Sequence, residues 1–193
     1  MLFIVTGLPR SGTSLMMQML HRGGFPVLTD QQRRADTSNP RGYFEYEPVK
    51  KIAVERKWLA HAGGKAVKIV VPLIRYVPGH YACRVVFMER PLDEIMRSQE
   101  TLLQKQGKVS DREETNRLRD LFGKELRESK SLIAERSRWQ VLFISYPDLM
   151  ENPLLQAERL NRFLGGRLSE REMVRQVDPA LYRQRSDDCS LKP

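Results

Sequence analysis

Apolar residues gather in four short runs rich in Val, Ile and Phe, at 2–6, 67–71, 84–88 and 140–145. Such runs read as strands, and their near-continuous hydrophobicity implies that both faces of each strand are covered. Between and after them the apolar positions recur at helical spacing, which predicts helices over 13–22, 46–60, 92–106, 111–136, 153–164 and 169–176. Strands separated by helices form a parallel sheet, and ligands of such sheets collect beyond the carboxyl ends of the strands. Three loop clusters, Gly7 to Gly12, Glu89-Arg90 and Ser145-Tyr146, then face one crevice. The stretch 27–44, with Asp30, Asn39, Pro40 and Gly42, is irregular and polar and reads as a substrate-side loop. The Glu/Asp and Lys/Arg pairs crowded into 107–138 read as a solvated helix face.

The first loop carries the clearest chemistry. Phe3-Ile4-Val5-Thr6 runs into Gly7-Leu8-Pro9-Arg10-Ser11-Gly12, and Thr13 and Ser14 open the first helix. Glycines at 7 and 12 let the backbone turn tightly, so that several N–H groups converge on one anion. The helix start adds unpaired N–H groups and the positive end of its dipole. This is the spacing of the nucleotide-triphosphatase phosphate loop, but Thr13 stands where that loop carries Lys, and Arg10 is the loop's only cation. Triphosphate hydrolysis is therefore a poorer expectation than chemistry beside a single terminal phosphate. After the third strand, Arg90 leaves the strand end, Pro91 suits the helix entry and Ser98 follows two turns later. An arginine fork and a hydroxyl can grip a second phosphate. The same two residues also fit a structural ion pair and a surface hydroxyl.

Composition narrows the partners. A length of 193 residues suits one domain over 1–193, with 185–193 as a frayed tail. Hydrophobic residues make up 40% and charged residues 30%, a globular balance, and no stretch reaches the apolar length of a membrane span. The first strand begins almost at once, leaving no room for a secretory signal, so the cytoplasm is the expected location. A net charge of +9 calls for an anionic partner. That charge is spread along the chain with no basic run interleaved with aromatics, which points to a small polyanion, with no nucleic acid and no membrane partner. Cys83 and Cys189 lie far apart and outside any metal-ligand spacing, so neither redox nor zinc chemistry is expected.

Three blocks together resemble the sulfotransferases that use 3′-phosphoadenosine-5′-phosphosulfate (PAPS). Gly7-Leu8-Pro9-Arg10-Ser11-Gly12-Thr13-Ser14 is similar to their 5′-phosphosulfate loop. The stretch Arg90 to Ser98, with Pro91 and Asp93 between, resembles their 3′-phosphate segment. Ile144-Ser145-Tyr146-Pro147-Asp148-Leu149-Met150-Glu151-Asn152-Pro153 resembles their Tyr-Glu-Asp-Leu and Asn-Pro segment. The resemblance implies a three-layer α/β/α fold with a central parallel sheet, of the P-loop-containing nucleotide hydrolase-like kind. It implies in-line transfer of a sulfuryl group from PAPS to a hydroxyl or amine, with adenosine 3′,5′-bisphosphate (PAP) as product and no metal. Pro9, Arg10, Ser11, Gly12, Thr13 and Ser14 would hold the 5′ end, with Arg10 stabilising charge on the bridging oxygen. Arg90 and Ser98 would hold the 3′-phosphate.

The acceptor side departs from the commonest pattern. Many members of that family carry a histidine base in a Lys-Thr-His arrangement, whereas Lys68-Ile69-Val70 here keeps the lysine without the histidine. Other branches use a glutamate after the first helix, and the run from Asn39 to Pro48 resembles their acceptor-side segment. Glu45 is the expected base, because a carboxylate among Tyr43, Phe44 and Tyr46 would be partly desolvated, a setting that suits proton abstraction. Glu47 is the second choice, and Glu45 also fits a surface or capping carboxylate. Lys68 would reach the leaving-group oxygen, or serve as a strand-end lysine. Arg183 and Arg185 lie where the family often brings a basic loop over the 3′-phosphate, but its Arg-Lys-Gly triplet is absent. The acceptor is expected to be a small molecule or glycan, since aromatics suit a sugar ring, a phenol or a lipid. Two other readings stay open: a non-catalytic nucleotide-binding module, and a kinase-like enzyme using a triphosphate with magnesium.

Overall fold

A computed structural model describes residues 1–182 apart from 31, 34, 35, 37, 38, 40, 106 and 108–110. Arg183, Arg185, Cys189 and the expected tail thus lie outside the described residues. The four apolar runs become β1 (Leu2–Thr6), β2 (Ala66–Lys68), β3 (Cys83–Glu89) and β4 (Trp139–Ser145), hydrogen-bonded in the order β2-β1-β3-β4. All pairings are parallel, and Val5 is flanked by Lys68 on one side and Val86 on the other.

Strand alternation sends side chains into two separate cores. Leu2, Ile4, Val85 and Phe87 pack on one face of the sheet with Ile95 and Ile133. Val5, Val86, Met88 and Ile144 pack on the other with Met16, Met17, Leu149, Leu160 and Met173. Full burial of side chains of this size stabilises by about 1.5–3 kcal/mol each. The first face is covered by α2 (Leu92–Lys105), α3 (Arg112–Ala134) and three 3₁₀ turns, Glu47–Lys51, Lys57–His61 and Leu73–Tyr76. The second is covered by α1 (Thr13–Arg22), α4 (Tyr146–Glu151), α5 (Pro153–Leu164) and α6 (Glu170–Val174). Helix, sheet and helix form the three layers expected from the sequence. Among the described residues no helix is long and apolar enough to cross a membrane.

The sequence reading fails locally in three places. The helix expected over 46–60 is two 3₁₀ turns, Glu47–Lys51 and Lys57–His61, joined by an exposed bend. The Arg56 guanidinium donates to the carbonyls of Ile52 and Ala53, which a continuing helix would need, and Val54 is left 87% exposed. β-Branched Val49, Ile52 and Val54 also favour helix weakly. The strand expected over 67–71 ends as a strand at Lys68, although the N–H groups of Ile69 and Val71 still donate to the carbonyls of Val5 and Gly7. Helix α4 was missed. Its signals are Ser145, whose hydroxyl accepts from Asp148 N–H, and Pro147 in the first turn.

Candidate active site

The first loop turns between β1 and α1. Gly7 and Gly12 both have positive φ, 147° and 98°. Close packing needs them as well: a Cβ on Gly12 would lie 2.4 Å from the Tyr146 ring, and one on Gly7 2.6 Å from the Met88 carbonyl. The ends of β3 and the start of α4 thus press against the loop. Arg10 is left-handed too, at φ 71°, an unusual conformation for a side chain of its size. Among the described residues no side chain caps α1, and Thr13 and Ser14 at its start line a cavity, where uncapped helix-start N–H groups can receive an anion.

Ser11 lines a different cavity from the other expected donor-site residues. Its N–H donates to the Leu8 carbonyl at 3.1 Å, and its side chain, 1% exposed, lines a smaller cavity behind the loop with Leu8, Met88 and Glu89. The other expected residues converge. Pro9, Arg10, Gly12, Thr13, Ser14, Glu45, Lys68, Arg90 and Ser98 all line one cavity of about 490 Å³. Arg10 Nε donates to the Ser98 hydroxyl at 3.0 Å, and one Arg90 nitrogen donates to the Arg10 carbonyl at 3.1 Å. The two expected phosphate sites are therefore joined directly. Burial lowers the pKa of Arg10, with Tyr43 opposing that effect.

Lys68, 7% exposed, leaves the end of β2 and lines the same cavity. Its ammonium donates to the Tyr43 carbonyl and lies 3.4 Å from the Ser14 hydroxyl and 3.5 Å from Glu45 Oε1. Arg33 binds the same Glu45 oxygen at 2.7 Å and stacks 3.5 Å from the centre of the Tyr43 ring. The surroundings expected for Glu45 thus need correcting: two cations hold it, and of the three aromatics Tyr43 and Tyr46 line the cavity while Phe44 packs on His21. Glu47 is outside the cavity lining and pairs with Lys50 at 2.7 Å. The substrate-side loop is pinned to α1 by Gln18, which donates to Asn39 and to the Gly42 carbonyl.

Sequence reasoning gave no role to Arg33, Glu94 or Tyr182. Arg33 and Tyr182 carry no motif; Glu94 could have been found from its place four residues after Arg90, the helical spacing of an ion pair.

Burial pushes the Lys68 ammonium down from 10.5 to about 8, with Glu45 acting in the opposite direction. Between these two values the unfolded chain holds a proton that the folded chain has released, so burial of this group costs stability below pH 8 and the cost fades towards pH 10.5. The parent's unfolding free energy is expected to rise by about 3 kcal/mol relative to Lys68→Met across that window, at 1.36 kcal/mol per pKa unit. Denaturant titrations of both proteins at several pH values check this, and parallel curves would remove the perturbed lysine.

A sequence profile of the sulfotransferase domain family matches residues 80–190, which include the Arg90–Ser98 and Ile144–Pro153 blocks. No curated protein matches the chain. Among solved structures, sulfotransferase STF1 from Mycobacterium tuberculosis aligns at 17% identity and TM-score 0.61, covering 99% of this chain and 73% of that one. The sulfotransferase domain from the curacin biosynthetic pathway aligns at 11% identity and TM-score 0.57, covering 92% and 77%. That of the Synechococcus PCC 7002 olefin synthase aligns at 14% and 0.56, covering 96% and 87%. At these identities the structural likeness shows the fold, and the profile, spanning more than half of the chain, supplies the family. With its parallel sheet and flanking helices, the chain belongs to the sulfotransferase family.

Proposed function

We propose that this protein transfers a sulfuryl group from PAPS to a hydroxyl or amine of a small-molecule or glycan acceptor. The observation that carries the reading is one cavity lined together by the helix-start residues Thr13 and Ser14, the cations Arg10 and Arg90, and the Glu45–Lys68 pair. The residues fit such a donor. Helix-start N–H groups and Arg10 suit a 5′-phosphosulfate, and Arg90 with Ser98 suits a separate 3′-phosphate. A triphosphate would want the lysine that Thr13 replaces.

PAPS supplies an activated S–O bond, and the acceptor atom bonds to sulfur as the link to the 5′-phosphate oxygen breaks. The N–H groups at Thr13 and Ser14 hold the 5′-phosphate. Arg10 and Lys68 stabilise the negative charge that grows on the bridging oxygen as it leaves. Glu45 takes the acceptor's proton as the new bond forms. Tyr46, and Arg33 stacked on Tyr43, line the cavity beside Glu45 and would contact the acceptor.

Calorimetric titration without magnesium, comparing PAP with adenosine 5′-monophosphate and ATP, tests the reading. PAP is expected to bind best. Arg90→Ala should lose about tenfold or more in PAP affinity, the worth of a hydrogen bond to a charged group, with the monophosphate little changed. A preference for ATP that needs magnesium would favour the kinase-like reading. Tight PAP binding with no turnover on any acceptor would favour a non-catalytic module.

A further inference from the structure

Glu94 lies on α2, one turn beyond Pro91, and is 1% exposed. Burying a carboxylate costs several kcal/mol unless partners replace its water. Here both oxygens are used: Oε2 accepts from Arg90 Nε at 2.9 Å, and Oε1 accepts from the Tyr182 hydroxyl at 2.8 Å. The Arg90 side chain is itself only 8% exposed, and its guanidinium lies 4.6 Å from the centre of the Tyr146 ring and 5.3 Å from that of Tyr182. With another nitrogen given to the Arg10 carbonyl, the fork is held at several points and cannot rotate freely.

Attraction does not explain this carboxylate. A negative charge against an arginine weakens that arginine's pull on a phosphate, so what Glu94 contributes is orientation. We propose that Glu94, braced by Tyr182, is a positioning residue that fixes the Arg90 guanidinium for the donor's 3′-phosphate and so sets the preference for a 3′-phosphorylated nucleotide. This rests on the PAPS reading above. It also gives the segment ending at Tyr182 a role in donor selection, through a hydrogen bond to a residue 88 positions away.

The readout is the ratio of PAP to adenosine 5′-monophosphate affinity, measured by calorimetry on the full chain. Glu94→Ala is expected to lower the ratio about tenfold or more, to the level of Arg90→Ala. Glu94→Gln, which keeps length and an oxygen for Arg90 Nε, should stay within about threefold of the parent. Because Glu94 acts through Arg90, the double variant Arg90→Ala/Glu94→Ala should be no worse than Arg90→Ala alone. It should also melt higher than Glu94→Ala, in which a buried guanidinium loses its counter-charge.

A parental ratio in Glu94→Ala, or losses that simply add in the double variant, would overturn the proposal. Should Glu94→Ala fail to fold, Tyr182→Phe, at a half-buried position, reads the same brace: a ratio lowered about threefold supports the proposal and an unchanged ratio overturns it. The two readings fail separately. A parent without preference for PAP defeats the donor assignment, whereas a parent that prefers PAP with an indifferent Glu94→Ala defeats only the positioning role.

Discussion

Glu45→Gln is expected to lower turnover by about 10²–10⁴-fold while leaving PAP affinity within a factor of about two, the span of positioned general-base catalysis. The carboxylate lines the cavity at 22% side-chain exposure and is fixed by Arg33 at 2.7 Å and Lys68 at 3.5 Å. Glutamine keeps its size and one acceptor oxygen, so both cations retain a partner and the substitution removes proton acceptance with little else. Glu45→Ala would be a poorer test, because it leaves two cations uncompensated, one of them buried. The rate of acceptor sulfation in saturating donor, beside a PAP titration, separates chemistry from binding. If turnover is unchanged, the base lies elsewhere, and Lys68 takes precedence over Glu47, which pairs with Lys50 and is not among the cavity-lining residues. The pH profile then distinguishes them. With Glu45 as base and Lys68 as cation, activity falls as pH rises through about 8; with the neutral Lys68 amine as base, it rises through the same value.

The sheet was legible because β1, β2 and β3 are largely buried on both faces, which leaves unbroken apolar runs in the sequence, whereas β4, at the sheet edge, leaves Gln140 and Phe143 exposed against that expectation. The first loop was legible because Gly7 and Gly12 answer to backbone geometry, and a turn of that kind admits few other residues. What the sequence hid is of a different sort. Ser11 sits inside the phosphate-loop motif, yet its side chain is buried and lines the smaller cavity behind the loop, which the motif does not record. Glu45 reads as a carboxylate among aromatics, but Arg33, twelve residues upstream, reaches it across the loop. The Glu94–Tyr182 contact joins α2 to a distant segment, and no periodicity or spacing records such a pairing. Fold followed from pattern; the environment of each site residue depended on contacts between distant segments.

Arg10→Ala is expected to cut turnover by about 10²–10³-fold, or roughly 3–4 kcal/mol of transition-state stabilisation, with a much smaller loss in PAP affinity. Arg10 is the loop's only cation, lines the cavity, and donates from its Nε to the Ser98 hydroxyl at 3.0 Å. In the proposed mechanism that charge serves the oxygen that leaves sulfur more than the phosphates that stay bound, so the loss should fall on kcat. Backbone strain does not confound the test: at φ 71° alanine is as disfavoured as arginine, so the two differ in the side chain alone. The Arg10 carbonyl, which accepts from Arg90, is retained in either case. Arg10→Lys sharpens the result. Lysine supplies a point charge without the planar fork, so recovery of most of the rate would assign Arg10 a purely electrostatic role, and little recovery would show that two-point contact matters. Full activity in Arg10→Ala would move the burden to Lys68, the other cation beside Ser14, and the pH dependence of that variant would then follow the lysine's value of about 8.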